Sequence, residues 1–90
     1  MMTISGYQQI TYKDLQKLLE TASRNTEKTV VKIAAEINVN SSTTVSNAFN
    51  KIEQKVSDEV LSSVMKCVSI NGFIVWENGK RLYFVSKNGK

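Results

Sequence analysis

Residues 29–50, TVVKIAAEINVNSSTTVSNAFN, constrain the fold of this chain more than any other segment. They contain two short patterns with apolar residues at helical spacing. The inward residues are Ile33, Ala34 and Ile37 in the first pattern, and Val45, Ala48, Phe49 and Ile52 in the second. A polar segment separates the patterns, and its Asn38 tolerates the left-handed backbone conformation of a tight turn. The segment therefore predicts a helix-turn-helix, a motif that inserts its second helix into a DNA groove.

The composition favours a single small domain. The chain has 90 residues, of which 41% are apolar, and its net charge is +4. A mild basic excess is compatible with a polyanionic partner such as DNA. The sequence has no apolar run of about 18 residues, and its first ten residues do not form a signal peptide. Cys67 is the only cysteine, so we expect a reducing cytoplasmic location and no internal disulfide.

The rest of the chain predicts a mainly α fold, with four helices followed by a C-terminal two-stranded β-hairpin. The helices are expected at about 12–24, 29–38, 42–52 and 57–71, and the hairpin at about 73–86. Their N-caps are expected at Thr11, at Thr29, at Ser41 or Ser42, and at Ser57. Asn78-Gly79 is the strongest short signal for a hairpin turn.

Both faces of the predicted hairpin are largely apolar, so each requires a cover. One face carries Phe73, Val75, Leu82 and Phe84, and the other carries Ile74, Trp76, Arg81 and Tyr83. We expect the second set to form a homodimer interface, because a small headpiece needs a second half-site about 34 Å away to find its operator. The alternative is a monomer in which residues 3–10 form a third strand or fold over that face.

The motif residues resemble the lac-repressor family headpiece. The resemblance rests on Thr44-Val45-Ser46, Asn50, the segment Val56-Ser57-Asp58-Glu59-Val60, and Gly72-Phe73, and it covers residues 29–73. The wider phage-repressor-like group, which has an extra leading helix, fits the 12–24 helix better. The departures are Asn38 and Asn40 in place of Gly and Ser, a turn one residue longer, and Asn47 where the family commonly has Arg. The resemblance implies sequence-specific binding of double-stranded DNA by a small, repressor-like transcriptional regulator or accessory factor.

The predicted recognition helix, 42–52, carries hydroxyl and amide side chains that suit base edges and phosphates. The predicted DNA-contacting residues are Thr29, Lys32, Asn40, Ser42, Thr43, Thr44, Ser46, Asn47, Asn50 and Lys51. Lys28 and Lys55 supply further positive charge nearby. The alternative is that the Ser, Thr and Asn residues are only caps and solvated surface, and that the fold serves protein–protein contacts.

Other features favour structural roles. Trp76 opposite Arg81 suits a cross-strand packing pair better than a nucleic-acid stacking platform. Cys67 suits a small buried hydrophobe, and Asp58-Glu59 suits a helix N-terminus. With no histidine and one cysteine, we expect no enzyme. We also expect no metal, no cofactor and no small-molecule ligand. In a rival winged-helix interpretation, helix 57–71 reads DNA and Lys80-Arg81 lies at the wing tip, but Asp58 and Glu59 would then face phosphates.

Overall fold

Residues 4–87 of the computed structural model form four α-helices, a short 3-10 helix and three strands. In chain order these are β1 (Tyr7–Ile10), α1 (Tyr12–Asn25), α2 (Val30–Glu36), α3 (Ser42–Phe49), the 3-10 helix (Glu53–Lys55), α4 (Asp58–Cys67), β2 (Gly72–Glu77) and β3 (Lys80–Ser86). The four predicted helices are therefore present, and the 3-10 helix is an element that the sequence patterns did not indicate.

The predicted helix starts are confirmed by their caps. The side chains of Thr11, Thr29, Ser41 and Ser57 each accept a hydrogen bond from a backbone N–H in the first turn of the helix that follows. The predicted ends of α2, α3 and α4 are wrong, because these helices stop at Glu36, Phe49 and Cys67. Asn38, Lys51 and Ser69, just beyond these ends, adopt positive φ angles of 66°, 63° and 66°, a conformation that cannot continue a right-handed helix.

The prediction of a two-stranded hairpin is wrong, because β1 adds a third strand. The sheet has the order β1-β3-β2 and is antiparallel throughout. Within the hairpin Trp76 lies opposite Arg81, as predicted, and the register runs from Glu77 opposite Lys80 to Phe73 opposite Phe84. The alternative prediction, a third strand within residues 3–10, is confirmed for residues 7–10. Thr3 lies outside the described residues. One edge of β3 is thereby paired with the N-terminal segment of the same chain.

The orientation of the sheet differs from the sequence-based expectation. Tyr83 and Val85 belong to the buried core shared with the helices, and Ile74 packs against it. The face predicted to be free for a partner therefore packs on the helices. The outward face, away from the helices, carries an aromatic cluster in which Phe84 is only 1% exposed. The ring centroids of Phe73 and Phe84 lie 5.4 Å apart, and those of Tyr7 and Phe73 lie 4.9 Å apart.

The core joins all four helices to the inner face of the sheet. Its buried side chains are Leu15, Leu19, Ile33, Ala34, Val45, Ala48, Val56, Leu61, Val64, Met65, Val68, Tyr83 and Val85. In α1 the apolar Leu18 is 41% exposed, whereas the polar Gln16 is buried. A Cβ atom at Gly72 would lie 2.3 Å from the carbonyl oxygen of Phe84. Glycine at that position therefore permits the close approach of β2 to β3 under α4.

Candidate nucleic-acid interface

The turn between α2 and α3 is closed by backbone hydrogen bonds to the last turn of α2. Asn38 N–H donates to the carbonyl of Ala35 at 3.3 Å, and Val39 N–H donates to the carbonyl of Ala34 at 3.0 Å. Together with the positive φ of Asn38, these bonds form a Schellman motif. Val39, which follows Asn38 in the turn, packs against the core. The structure therefore joins α2 to α3 through a tight turn at the place where the sequence predicts one.

The two sides of α3 differ sharply in exposure. Val45 and Ala48 are completely buried. On the opposite side, the predicted residues Thr43 and Asn50 are exposed, and Ser42, Thr44, Ser46 and Asn47 are partly exposed. Asn50 Nδ2 donates to Ser46 Oγ at 2.9 Å, so these two side chains are held together one turn apart. The predicted base-contacting residues thus lie on an accessible polar surface.

The remaining predicted contact residues flank this surface. Lys32 and Lys51 are exposed, as is Asn40 in the turn. Thr29 is also exposed, and its hydroxyl accepts a hydrogen bond from the Lys32 N–H at 3.2 Å. Because the Thr29 hydroxyl caps α2, a polar contact from this residue to DNA would have to share that oxygen.

Lys28, in contrast, is engaged within the chain. Its Nζ lies 2.8 Å from Glu36 Oε1 and also donates to the carbonyl of Cys67 at 2.8 Å. The hydrogen bond between Lys28 and Glu36 raises the pKa of Lys28 and lowers that of Glu36. Burial and the neighbouring Glu36 raise the pKa of the Cys67 thiol. Lys28 therefore ties the α1–α2 loop to the end of α4, and Cys67 keeps its proton.

The C-terminal end of α3 is held from behind by α1. Gln16 Nε2 donates to the carbonyl of Ala48 at 3.2 Å, and the Tyr12 hydroxyl donates to the same carbonyl at 3.4 Å. Gln16 is only 4% exposed, so its amide satisfies an acceptor that the end of a helix leaves without an intrahelical partner. These contacts position α3 relative to α1.

The linker between α3 and α4, residues 50–57, is fixed to the sheet by polar contacts. Arg81 donates to the carbonyls of Glu53 and Val56 at 3.3 and 2.8 Å, and its Nε forms a 2.9 Å ion pair with Asp58. The Tyr83 hydroxyl donates to the carboxylate of Glu53. Burial, and then this bond to Glu53, raise the pKa of Tyr83 well above 10.0.

Trp76 completes this polar cluster. Its indole N–H donates to Asp58, and the Arg81 guanidinium lies 5.4 Å from the ring centroid. The cross-strand packing role predicted for Trp76 and Arg81 therefore agrees with the geometry. The rival winged-helix interpretation requires Lys80 and Arg81 to contact DNA at the hairpin tip. Arg81 is engaged in contacts within the chain, so of these two cations only Lys80 is exposed.

Sequence reasoning missed the partners of Gln16, Glu53 and Asp58. The sequence did contain a signal for the role of Asp58. Arg81 lies within an otherwise apolar hairpin face, and a buried arginine requires an anion as its partner. Asp58 meets this requirement at the same time as it occupies the first turn of α4. No comparable local signal exists for Gln16, since its partner lies 32 residues away.

No family model matches this chain, and no curated protein or solved structure matches it significantly. Within residues 4–87, no helix is both long enough and apolar enough to cross a membrane. The same residues contain no group of three or more His, Cys, Asp or Glu side chains placed to hold a metal ion.

Proposed function

We propose that this domain binds double-stranded DNA in a sequence-specific manner, with α3 in the major groove. The observation that carries the proposal is the two-sided character of α3. Val45 and Ala48 on its apolar side are completely buried, whereas Thr43, Asn47 and Asn50 line the accessible side at spacings of three and four residues. Hydroxyl and amide groups at this spacing suit base edges along one groove, and Asn suits a bidentate contact with adenine.

The surroundings of α3 supply the contacts that position such a helix. Lys32 on α2 and Lys51 after α3 are exposed cations on either side of it, and lysines of this kind bind phosphates without reading sequence. A domain with these properties acts by occupying its site, as a repressor-like transcriptional regulator or an accessory DNA-binding factor. That role requires a cytoplasmic protein. The likeness to the lac-repressor headpiece supports the same proposal.

The test is a binding series on a selected duplex and on unrelated duplexes. Asn47→Ala should lower affinity for the selected site by about 1–3 kcal/mol and leave binding to unrelated duplexes unchanged, because it removes a base contact. Lys51→Ala should weaken binding to all duplexes alike and reduce the salt dependence, because it removes a phosphate contact.

Lys66→Ala is the matched control, since Lys66 is an exposed lysine in the last turn of α4, outside the helix-turn-helix. It should leave both affinities unchanged. Failure of the unmodified protein to bind any duplex at about 50 mM salt, where screening is weak, would exclude DNA binding.

A protein-contact module is the alternative, and one observation favours it. Val31 on α2 is 68% exposed, beside Lys32 on the outer surface of the motif. An exposed apolar side chain at that place suits a protein partner. DNA binding by the unmodified protein separates the two functions, because a protein-contact function predicts none. If the protein binds DNA, Val31→Ser should leave that affinity within about twofold.

A further inference from the structure

The two edges of the sheet differ in how they are protected. The edge strand β1 has four residues, and two of them are exposed glutamines, Gln8 and Gln9. The opposite edge strand, β2, has six residues with the sequence GFIVWE. It contains no proline and no lysine, and Glu77 is its only charged residue. Short length, charge and proline are the usual devices that prevent edge strands from pairing, and β2 lacks them over residues 72–76.

The backbone of β2 presents hydrogen-bonding groups on this edge. Ser86 N–H donates to the carbonyl of Asn71 at 2.8 Å, which sets the alternation of the β2–β3 ladder. The odd-numbered residues of β2 therefore direct their N–H and C=O groups to β3. Gly72, Ile74 and Trp76 direct theirs to the open edge. Among the described residues, β3 is the only strand that pairs with β2.

We propose that two copies of this chain dimerise by antiparallel pairing of their β2 strands, which forms a continuous six-stranded sheet. The occupant is a second copy because antiparallel pairing of identical strands about a two-fold axis is self-complementary. This dimer replaces the one expected from the sequence, whose predicted contact residues Arg81 and Tyr83 are engaged within the chain. It does not depend on DNA binding.

The residue pattern selects one register, centred on Ile74. In this register Ile74 of one copy lies opposite Ile74 of the other, and Trp76 lies opposite Gly72 of the other copy. The N–H and C=O groups of these residues are then exchanged between the copies. On the outward face Phe73 meets Val75, and Glu77 remains outside the paired segment, so no like charges are brought together.

Trp76 gives this register a further advantage. The side chain is 55% exposed, although its indole N–H is fixed by Asp58. Opposite Gly72 of the other copy, the ring would meet the apolar side chains of Met65 and Val85, which lie over that glycine. Because the register pairs even residues with even residues, both helical layers lie on the same side of the combined sheet.

Amide hydrogen exchange on the unmodified protein tests the proposal directly. As protein concentration rises from about 5 to about 100 µM, a range that spans micromolar dimer affinities, the amides of Gly72, Ile74 and Trp76 should become protected. The Gln9 amide on the other edge should not change. Sedimentation over the same range should show conversion from monomer to dimer. A monomer throughout, or a dimer whose β2 amides remain unprotected, would overturn the proposal.

A charge substitution supplies the matched control. Val75→Lys should weaken dimerisation by roughly tenfold or more, because it places a lysine against Phe73 of the other copy. Gln9→Lys adds the same charge to the outward face at the other edge and should leave dimerisation unchanged. Thermal melting of both variants establishes that each is folded. Equal dimerisation by both folded variants would overturn the assignment to the β2 edge.

Discussion

The helix-turn-helix and the sheet are attached to this domain by different kinds of contact. The helix-turn-helix packs mainly through apolar side chains, since Ile33, Val45 and Ala48 are completely buried. Two polar contacts add to this packing, one from Gln16 to the end of α3 and one from Lys28 to the end of α2. The sheet adds a polar cluster, in which Arg81 and Tyr83 bind the linker and the start of α4. The side chains of Thr43, Asn47 and Asn50 take no part in that cluster and lie at accessible positions on or just after α3.

The same contrast separates the basic residues. Lys28 and Arg81 stabilise junctions between elements, whereas Lys32 and Lys51 remain exposed. Net charge alone therefore overstates the charge available to a polyanion. Mutations in the two regions should differ in size and in their dependence on pH, and four predictions test this.

The largest effect is expected in the helix-turn-helix. Ile33→Ala should lower the free energy of unfolding by about 2–5 kcal/mol, because it leaves a cavity at a fully buried site. Chemical denaturation measures the change. Val31→Ala on the exposed side of the same helix should change stability by less than about 0.5 kcal/mol. Equal effects at the two positions would contradict the packing described for α2.

Arg81→Met should have the next largest effect, about 1–3 kcal/mol. The Arg81 side chain is 11% exposed and Asp58 is 41% exposed, so solvent screening reduces the loss below that of a fully buried pair. Lys80→Met, at the exposed neighbouring position, is the control and should be nearly neutral. In a double-mutant cycle with Asp58→Asn, additive effects would show that the ion pair contributes nothing.

Tyr83→Phe should cost about 1 kcal/mol near neutral pH, because it removes a hydrogen bond to the Glu53 carboxylate. The folded protein holds the Tyr83 proton more tightly than the unfolded chain does, since its pKa is raised. The stabilisation that the Tyr83 hydroxyl gives the folded protein is therefore complete below pH 10, and it is lost as the pH rises from that value through the higher pKa of the folded state. Stability measured against pH should fall less steeply in Tyr83→Phe than in the unmodified protein; parallel curves would contradict this role.

The smallest effects are expected at the two turns, where the regions behave alike. Asn38 and Asn78 both adopt positive φ angles, 66° and 53°. Replacement of either by Ala should cost up to about 1 kcal/mol, whereas Gly should be neutral or slightly stabilising. Thermal melting of the four variants measures these changes. A larger loss with Gly than with Ala at either turn would contradict the backbone explanation.

Much of the fold could be predicted because it depends on neighbours in the sequence. The four N-caps bind N–H groups two or three residues away. The positive φ of Asn38 and the hairpin register around Asn78-Gly79 also follow from local chemistry. The helix ends were less predictable, since Lys51 and Ser69 adopt the left-handed conformation without the glycine that usually marks it.

The sequence by itself determined the helix starts, the turn of the helix-turn-helix, the hairpin register and the polar character of α3. Only the tertiary structure decided that β1 joins the sheet, that Ile74 and Tyr83 face the helices, and that Lys28 and Arg81 are engaged. The physical reason is that period-two alternation separates the two faces of a strand without saying which one is buried. When both faces are apolar, contacts with residues far along the chain decide which face is buried. Arg81 donates to the carbonyl of Val56, and Tyr83 donates to the carboxylate of Glu53. Gln16 likewise donates to the carbonyl of Ala48, 32 residues away.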